Sequence, residues 1–266
     1  MPGTGNSTSS HNHWRYTIGA ASEESGAANR KKGDSMRKLN LEQVETFRTA
    51  VAELDAMYRD VPEKLADDKV EAELHAWLDG GDEPLPWKEA TKVTSDEWFF
   101  VTTLYGNMTL KGQRTHIRRF FNSLFVDSAG GDIRKFTATP KSYKGLRSPY
   151  MATRLCRMAK LLKKQNMCMD DYVAHLLDLD SQATPDNPTP SLDRIVADHR
   201  ATEWKSLSVF IRDCVQGNCF PIDSRVRKVL AKWNLPVSEK TLVSLCLAID
   251  RNPREIARMF YNAGGE

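Results

Sequence analysis

The chain has 266 residues, 40% of them apolar, enough to bury the core of one compact unit or of two small helical lobes. No apolar run approaches the roughly 18 residues needed to span a bilayer, and the first residues lack the apolar stretch of a signal peptide, so a soluble, intracellular protein is expected. The net charge of +3 hides a polarised chain: residues 41–100 carry 6 Lys/Arg against 16 Asp/Glu, whereas residues 111–164 carry 14 against 2, a net of +12 that suits a polyanion or an acidic neighbouring segment.

Residues 1–37, rich in Gly, Ser, Asn and Thr and without apolar periodicity, read as a disordered tail, leaving 38–266 as the folded part. From Leu41 the pattern turns helical, with Val44, Phe47, Val51, Leu54 and Met57 recurring at steps of three or four and the acids of this segment, 41–80, facing outward. Gly80-Gly81-Asp82-Glu83-Pro84-Leu85-Pro86 breaks the chain, and Thr94-Ser95-Asp96-Glu97 offers caps for a helix beginning near Trp98. That helix, apolar nearly all round to Tyr105, belongs at the centre of a domain.

Basic residues return at Arg114, Arg118 and Arg119, and again at Arg154, Arg157, Lys160 and Lys164, whose spacing puts them along one broad helical face opposite Leu155, Met158 and Leu162. After a loop at Thr184 to Pro190, a helix starts near Ser191, and Leu207, Phe210, Ile211 and Cys214 then form one buried stripe with Lys205 at the beginning of the helix and off that stripe. Gly217 stops this helix, Pro221 enforces an extended approach, and Asp223 stands where an N-cap would stand for a helix packed through Val226, Val229 and Leu230. Nothing alternates with period two, so the fold class is all-α.

The cysteines (Cys156, Cys168, Cys214, Cys219, Cys246) are odd in number and scattered, and the histidines show no ligand spacing. Buried thiols, no metal and no cofactor are expected.

The run Phe220-Pro221-Ile222-Asp223-Ser224-Arg225-Val226, 18 residues after Lys205 at its aspartate, resembles an element of the helix-hairpin-helix DNA glycosylases, in which a hairpin lysine is followed by a helix, a short loop and a Val/Ile-Asp pair opening another helix. Two upstream stretches are similar to the family in the same order: Leu104-Tyr105-Gly106-Asn107-Met108-Thr109, and Gly145-Leu146-Arg147-Ser148-Pro149-Tyr150-Met151-Ala152. The resemblance spans about residues 95–235 and implies a two-lobed helical fold. In two places the chain departs from the family: the hairpin glycine positions hold Ala201 and Glu203, which weakens backbone approach to a phosphate, and no cysteine follows Cys246, which points to a cluster-free branch like the 8-oxoguanine enzymes.

What the resemblance implies is base-excision repair of double-stranded DNA holding a damaged base, with an oxidised purine preferred, by a monomeric glycosylase with lyase activity. The base must leave the stack to be reached. A deprotonated lysine amine can attack C1′ and form a Schiff base that permits strand cleavage, and a nearby carboxylate can stabilise the positive sugar. Lys205 and Asp223 take those roles, and a helix N-terminus at Asp223 favours negative charge. Arg225 and Arg227 are candidate phosphate contacts, Asn107 a residue to fill the vacated stack, and Gln113, Arg114 and Arg118 backbone contacts. Trp204 and Phe260 are candidate stacking partners for the extruded base.

Three other readings stay open. Asp223 alone can activate water in a monofunctional glycosylase, the fold can serve as a catalytically inactive DNA-binding protein, or the basic segment can belong to a helical domain that meets RNA or an acidic protein.

Overall fold

The computed structural model describes residues 39–60, 93–105, 110–137, 146, 149–199 and 205–265. Among them are ten α-helices and no strand, in keeping with the all-α expectation. The segment 1–37 and the acidic stretch 61–92 lie outside the described residues.

Helix α1 (Leu41–Tyr58) starts where Asn40 accepts the Glu42 N–H at 3.0 Å, satisfying one of the amides that a helix start leaves without a partner. Its buried stripe is Phe47, Ala50, Val51, Leu54 and Tyr58. Met57, expected on that stripe, is 48% exposed, because at 3.6 residues per turn the position after Leu54 that returns to the same face is Tyr58. Glu42, Glu45 and Glu53 are exposed, as their outward placement in the sequence pattern requires.

Helix α2 (Ser95–Thr103) begins three residues earlier than the sequence pattern suggested, because Thr94 and Glu97 form a reciprocal capping box: Glu97 N–H donates to Thr94 Oγ1 at 3.2 Å and Thr94 N–H to Glu97 Oε2 at 2.8 Å. Trp98 to Leu104 are all buried, which places this helix at the centre of its packing unit. Helix α3 (Leu110–Phe120) runs on into a π-helical turn at Phe121–Val126, and a 3₁₀ turn at Ile133–Lys135 is docked on α2 by the Ile133 N–H, which donates to Asp96 at 2.7 Å. Helix α4 (Pro149–Gln165) buries Leu155, Met158 and Leu162 and exposes Arg157, Lys160, Lys163 and Lys164, the two-faced pattern read from the sequence.

Helices α5 (Met169–Ser181), α6 (Pro190–His199) and α7 (Lys205–Phe210) follow, and α7 widens into a π-helical turn at Ile211–Val215. The widening shifts the stripe by one residue, so Val215 rather than Cys214 takes the fully buried position. The chain ends in α8 (Ser224–Lys232), α9 (Glu239–Ala248) and α10 (Pro253–Ala263).

These helices enclose two apolar cores. The first is formed by α2 to α7 and ends at Cys219, and the second by α1 together with Phe220, α8, α9 and α10. The crossing from one core to the other falls between two adjacent residues, Cys219 and Phe220. It lies on the stretch that joins Lys205 to Asp223.

Candidate functional site

Lys205 is the first residue of α7 and is exposed, while Leu207, Ser208 and Phe210 of the same helix are buried. Two arginines of α4 hold the chain on either side of residues 200–204, which lie outside the described residues. Arg154 Nη1 donates to Ser206 Oγ just after that segment, and Arg157 Nη1 donates to the His199 carbonyl just before it. The His199 ring stacks on Phe99 at 5.6 Å between centroids, and neither of its nitrogens has a hydrogen-bond partner among the described residues. Burial, and then the charges of Arg154 and Arg157, press its imidazole down to about 3, so it is neutral at physiological pH.

Asp223 is half-buried and caps α8, as its position in the sequence suggested: Oδ1 accepts the Val226 N–H at 2.9 Å and its carbonyl accepts the Arg227 N–H at 3.0 Å. Behind it Val226, Val229 and Leu230 are buried in the second core. Arg225, Arg227 and Lys228 are exposed on the same helix, and the Arg225 guanidinium lies 4.9 Å from the centroid of the Tyr261 ring. Gly264, just past the end of α10, rests on the backbone of Arg225, where a Cβ would overlap the Arg225 carbonyl. The last turn of α10 is thereby packed against the first turn of α8.

The connection between these two helix starts is held by buried carboxylates that the sequence reading did not single out. Asp180 of α5 accepts the Ser191 N–H at 3.1 Å, the Ser191 hydroxyl at 2.6 Å and the Asn218 N–H at 2.6 Å. Burial raises the Asp180 carboxyl, and these hydrogen bonds offset part of that cost. Gly217 passes so close that a Cβ there would collide with Asp180 Oδ2. Its place after the left-handed Gln216 (φ 61°) is thus fixed by a contact from α5 as well as by the end of the helix. Asp213 pairs with Arg212 at 2.7 Å and lies 3.5 Å from Arg258 of α10, an ion cluster between elements of the two cores. Glu239 of α9 accepts both the Ser208 hydroxyl and the Phe220 N–H, the latter at 2.7 Å, on one oxygen.

The remaining sequence candidates are distributed as follows. Gln113 and Arg118 are half-buried on α3, which also carries the backbone of Arg114; the Arg114 side chain, Asn107 and Trp204 lie outside the described residues. Asp223, Arg225 and Arg227 share the beginning of α8, whereas Lys205 begins a separate helix. Phe260 requires a correction as a stacking partner for a base. It is 0% exposed, with its ring stacked on Phe47 at 6.0 Å and edge-on to Phe220 at 5.4 Å, so both faces are committed to the second core. The exposed aromatic of that helix is its neighbour Tyr261.

Burial pushes the thiols of Cys214, Cys219 and Cys246 up, which makes them poor nucleophiles and poor metal ligands. Among the described residues no three His, Cys, Asp or Glu side chains gather as a metal site, and no helix is long and apolar enough to cross a membrane. Chemically, the two helix starts offer a primary amine and a carboxylate. Comparison of the chain with family models, with curated proteins and with solved structures finds no match.

Proposed function

We propose that the protein is a helix-hairpin-helix DNA glycosylase with lyase activity, in which Lys205 is the nucleophile and Asp223 the carboxylate that supports it. The observation that carries this reading is the arrangement of the 205–223 segment: an exposed lysine opens one helix on the first core, a pinned connection crosses to the second, and Asp223 opens the next helix. Two cores, with the first residues of the folded part joined to the last helices, suit the two-lobed architecture that the resemblance implies.

In this reading the phosphodiester backbone is met by exposed cations, Arg157, Lys160, Lys163 and Lys164 on α4 and Arg225, Arg227 and Lys228 on α8. The damaged base leaves the stack. The Lys205 amine adds to C1′ as the N-glycosidic bond breaks, and the base departs with the bonding electron pair and takes up a proton. Asp223 stabilises the cationic sugar through the carboxylate capacity left after its cap to Val226. The proton that the amine nitrogen gives up passes to O4′ as the C1′–O4′ bond breaks and the sugar ring opens to a Schiff base, which acidifies C2′, and loss of the C2′ proton expels the 3′ phosphate by β-elimination. An oxidised purine in duplex DNA is the proposed substrate.

The test is incubation with labelled duplexes holding 8-oxoguanine, an oxidised pyrimidine, uracil or an abasic site, followed by borohydride, which reduces the Schiff base to a stable amine. A covalent adduct that Lys205→Ala abolishes is expected. Alkali-labile sites without an adduct, removed by Asp223→Asn, would replace this reading with a monofunctional one, and the absence of both would leave a binding role.

A further inference from the structure

Glu239 is buried at the first position of α9, among the helices of the second core, yet it accepts a hydrogen bond from a helix of the first. Its Oε1 takes the Ser208 hydroxyl from α7 and the Phe220 N–H from the crossing between the cores. Two donors on one oxygen lie within about 6 Å of each other, given ordinary hydrogen-bond lengths. Ser208 stands three residues after Lys205, one helical turn along α7, and Phe220 stands three residues before Asp223. A single buried atom therefore ties the helix that carries the amine to the strand of chain that delivers the carboxylate.

We propose that Glu239 is a positioning residue that sets the placement of Lys205 relative to Asp223, an inference that rests on the glycosylase reading above. The argument is geometric. Ser208 lies on a helix of the first core and Asp223 caps a helix of the second, so any rocking of one core on the other changes the separation of the two reacting groups. Apolar packing is non-directional and tolerates sliding. A hydrogen-bonded carboxylate does not, and a buried one left with too few donors is costly, so its two bonds are kept together. Asp180 holds Asn218 from α5 and Asp213 reaches Arg258 of α10, whereas the hydrogen bonds of Glu239 to Ser208 and Phe220 fall on either side of the crossing itself.

What Glu239 supplies is an acceptor, and charge is not required for that. Glu239→Gln keeps a carbonyl oxygen in the same place, whereas Glu239→Leu keeps the volume and removes the acceptor. On a duplex that the wild-type protein traps with borohydride, Glu239→Leu should slow adduct formation by on the order of 10- to 100-fold, the scale of a misplacement near 1 Å, with the affinity for uncleaved duplex unchanged. Glu239→Gln should restore the rate to within about threefold, and Ser208→Ala, a milder change that removes one donor, should slow it about three- to tenfold. Hydrogen exchange at the Phe220 amide reports the contact directly: protection is expected to survive in Glu239→Gln and to be lost in Glu239→Leu.

Wild-type adduct rates in a Glu239→Leu protein whose Phe220 amide has lost its protection would overturn the proposal, as would equal slowing by Gln and Leu, since that would make charge the operative property. If the wild-type protein forms no adduct on any duplex, the reading of Lys205 as nucleophile fails and the positioning role with it, and the amide exchange then shows separately whether Glu239 ties the two segments.

Discussion

The first core is assembled from consecutive helices between residues 93 and 219, whereas the second joins α1 to everything after Phe220. The first also buries more polar chemistry: His199, whose nitrogens have no partner among the described residues, Asp180 with three donors, and Ser208 turned toward Glu239. The second is mainly apolar around one ring, Phe260, touched by Phe47 from α1 and Phe220 from the crossing. That ring is wholly enclosed and cannot be spared for a ligand. Lys205 belongs to the first unit and Asp223 to the second, so the candidate chemistry depends on how firmly the two are tied.

Phe260→Ala gives the largest expected effect. Losing a ring that is wholly enclosed in the second core should lower unfolding stability by about 3–5 kcal/mol in a urea titration, with the loss falling on the transition that involves α1. A cost under about 1 kcal/mol would mean the ring is not a core ring, and would restore it as a candidate face for a base. Gly217→Ala comes next, at about 1–3 kcal/mol, because the added methyl meets an Asp180 carboxylate that Ser191 and Asn218 hold in place. Thermal melting of Gly217→Ala with and without Asp180→Ala would show whether that contact is the reason.

The first core carries two buried groups whose responses to acid oppose each other. His199 titrates near 3 in the folded protein and near 6.5 once unfolded, so below about pH 6.5 the unfolded chain binds the proton first. Its contribution is complete above that value and is lost as pH falls toward 3, amounting to about 2 kcal/mol between pH 7 and pH 5. Asp96 acts in the opposite sense. Burial raises its carboxyl to about 6, so stability present below about pH 3.8 is lost as pH rises through 6. His199→Leu should therefore make the protein more stable as the pH is lowered from 6.5 to 4.5, where the wild-type curve is flatter, and urea unfolding at both pH values checks it. The smallest effect is expected on the surface of the second core. Tyr261, 37% exposed under the Arg225 guanidinium, should cost about 0.5–1 kcal/mol as Tyr261→Ala.

Local features were legible in the chain. The cap at Asp223 and the stripe of Val226, Val229 and Leu230 could be read because a cap and a helical period are both settled within one or two turns. The basic face of α4 was readable for the same reason. Other features are not local. A uniform 3.6-residue period puts Cys214 on the buried stripe, whereas the widened turn moves that place to Val215, and a sequence does not say which aromatic of the Phe260-Tyr261 pair faces inward. Glu239, Asp180 and Asp213 carry no local signal of their roles. Each has a partner far along the chain, at 31, 38 and 45 residues, and no local pattern marks an acid that will be buried against a distant hydroxyl, amide or guanidinium. Even Gly217, correctly read as a helix stop, owes its close packing to one of those acids.

The central claim is that Lys205 and Asp223, carried by different cores, act on one sugar. Single-turnover base release from a duplex that the wild-type protein cleaves, measured for Lys205→Ala, Asp223→Asn and the double variant, tests it most directly. Residues that act as one unit are not additive, so the double variant should be no slower than the slower single variant to within about threefold. A double variant slowed by the full product of the two single effects, or a rate untouched by both substitutions, would contradict the account.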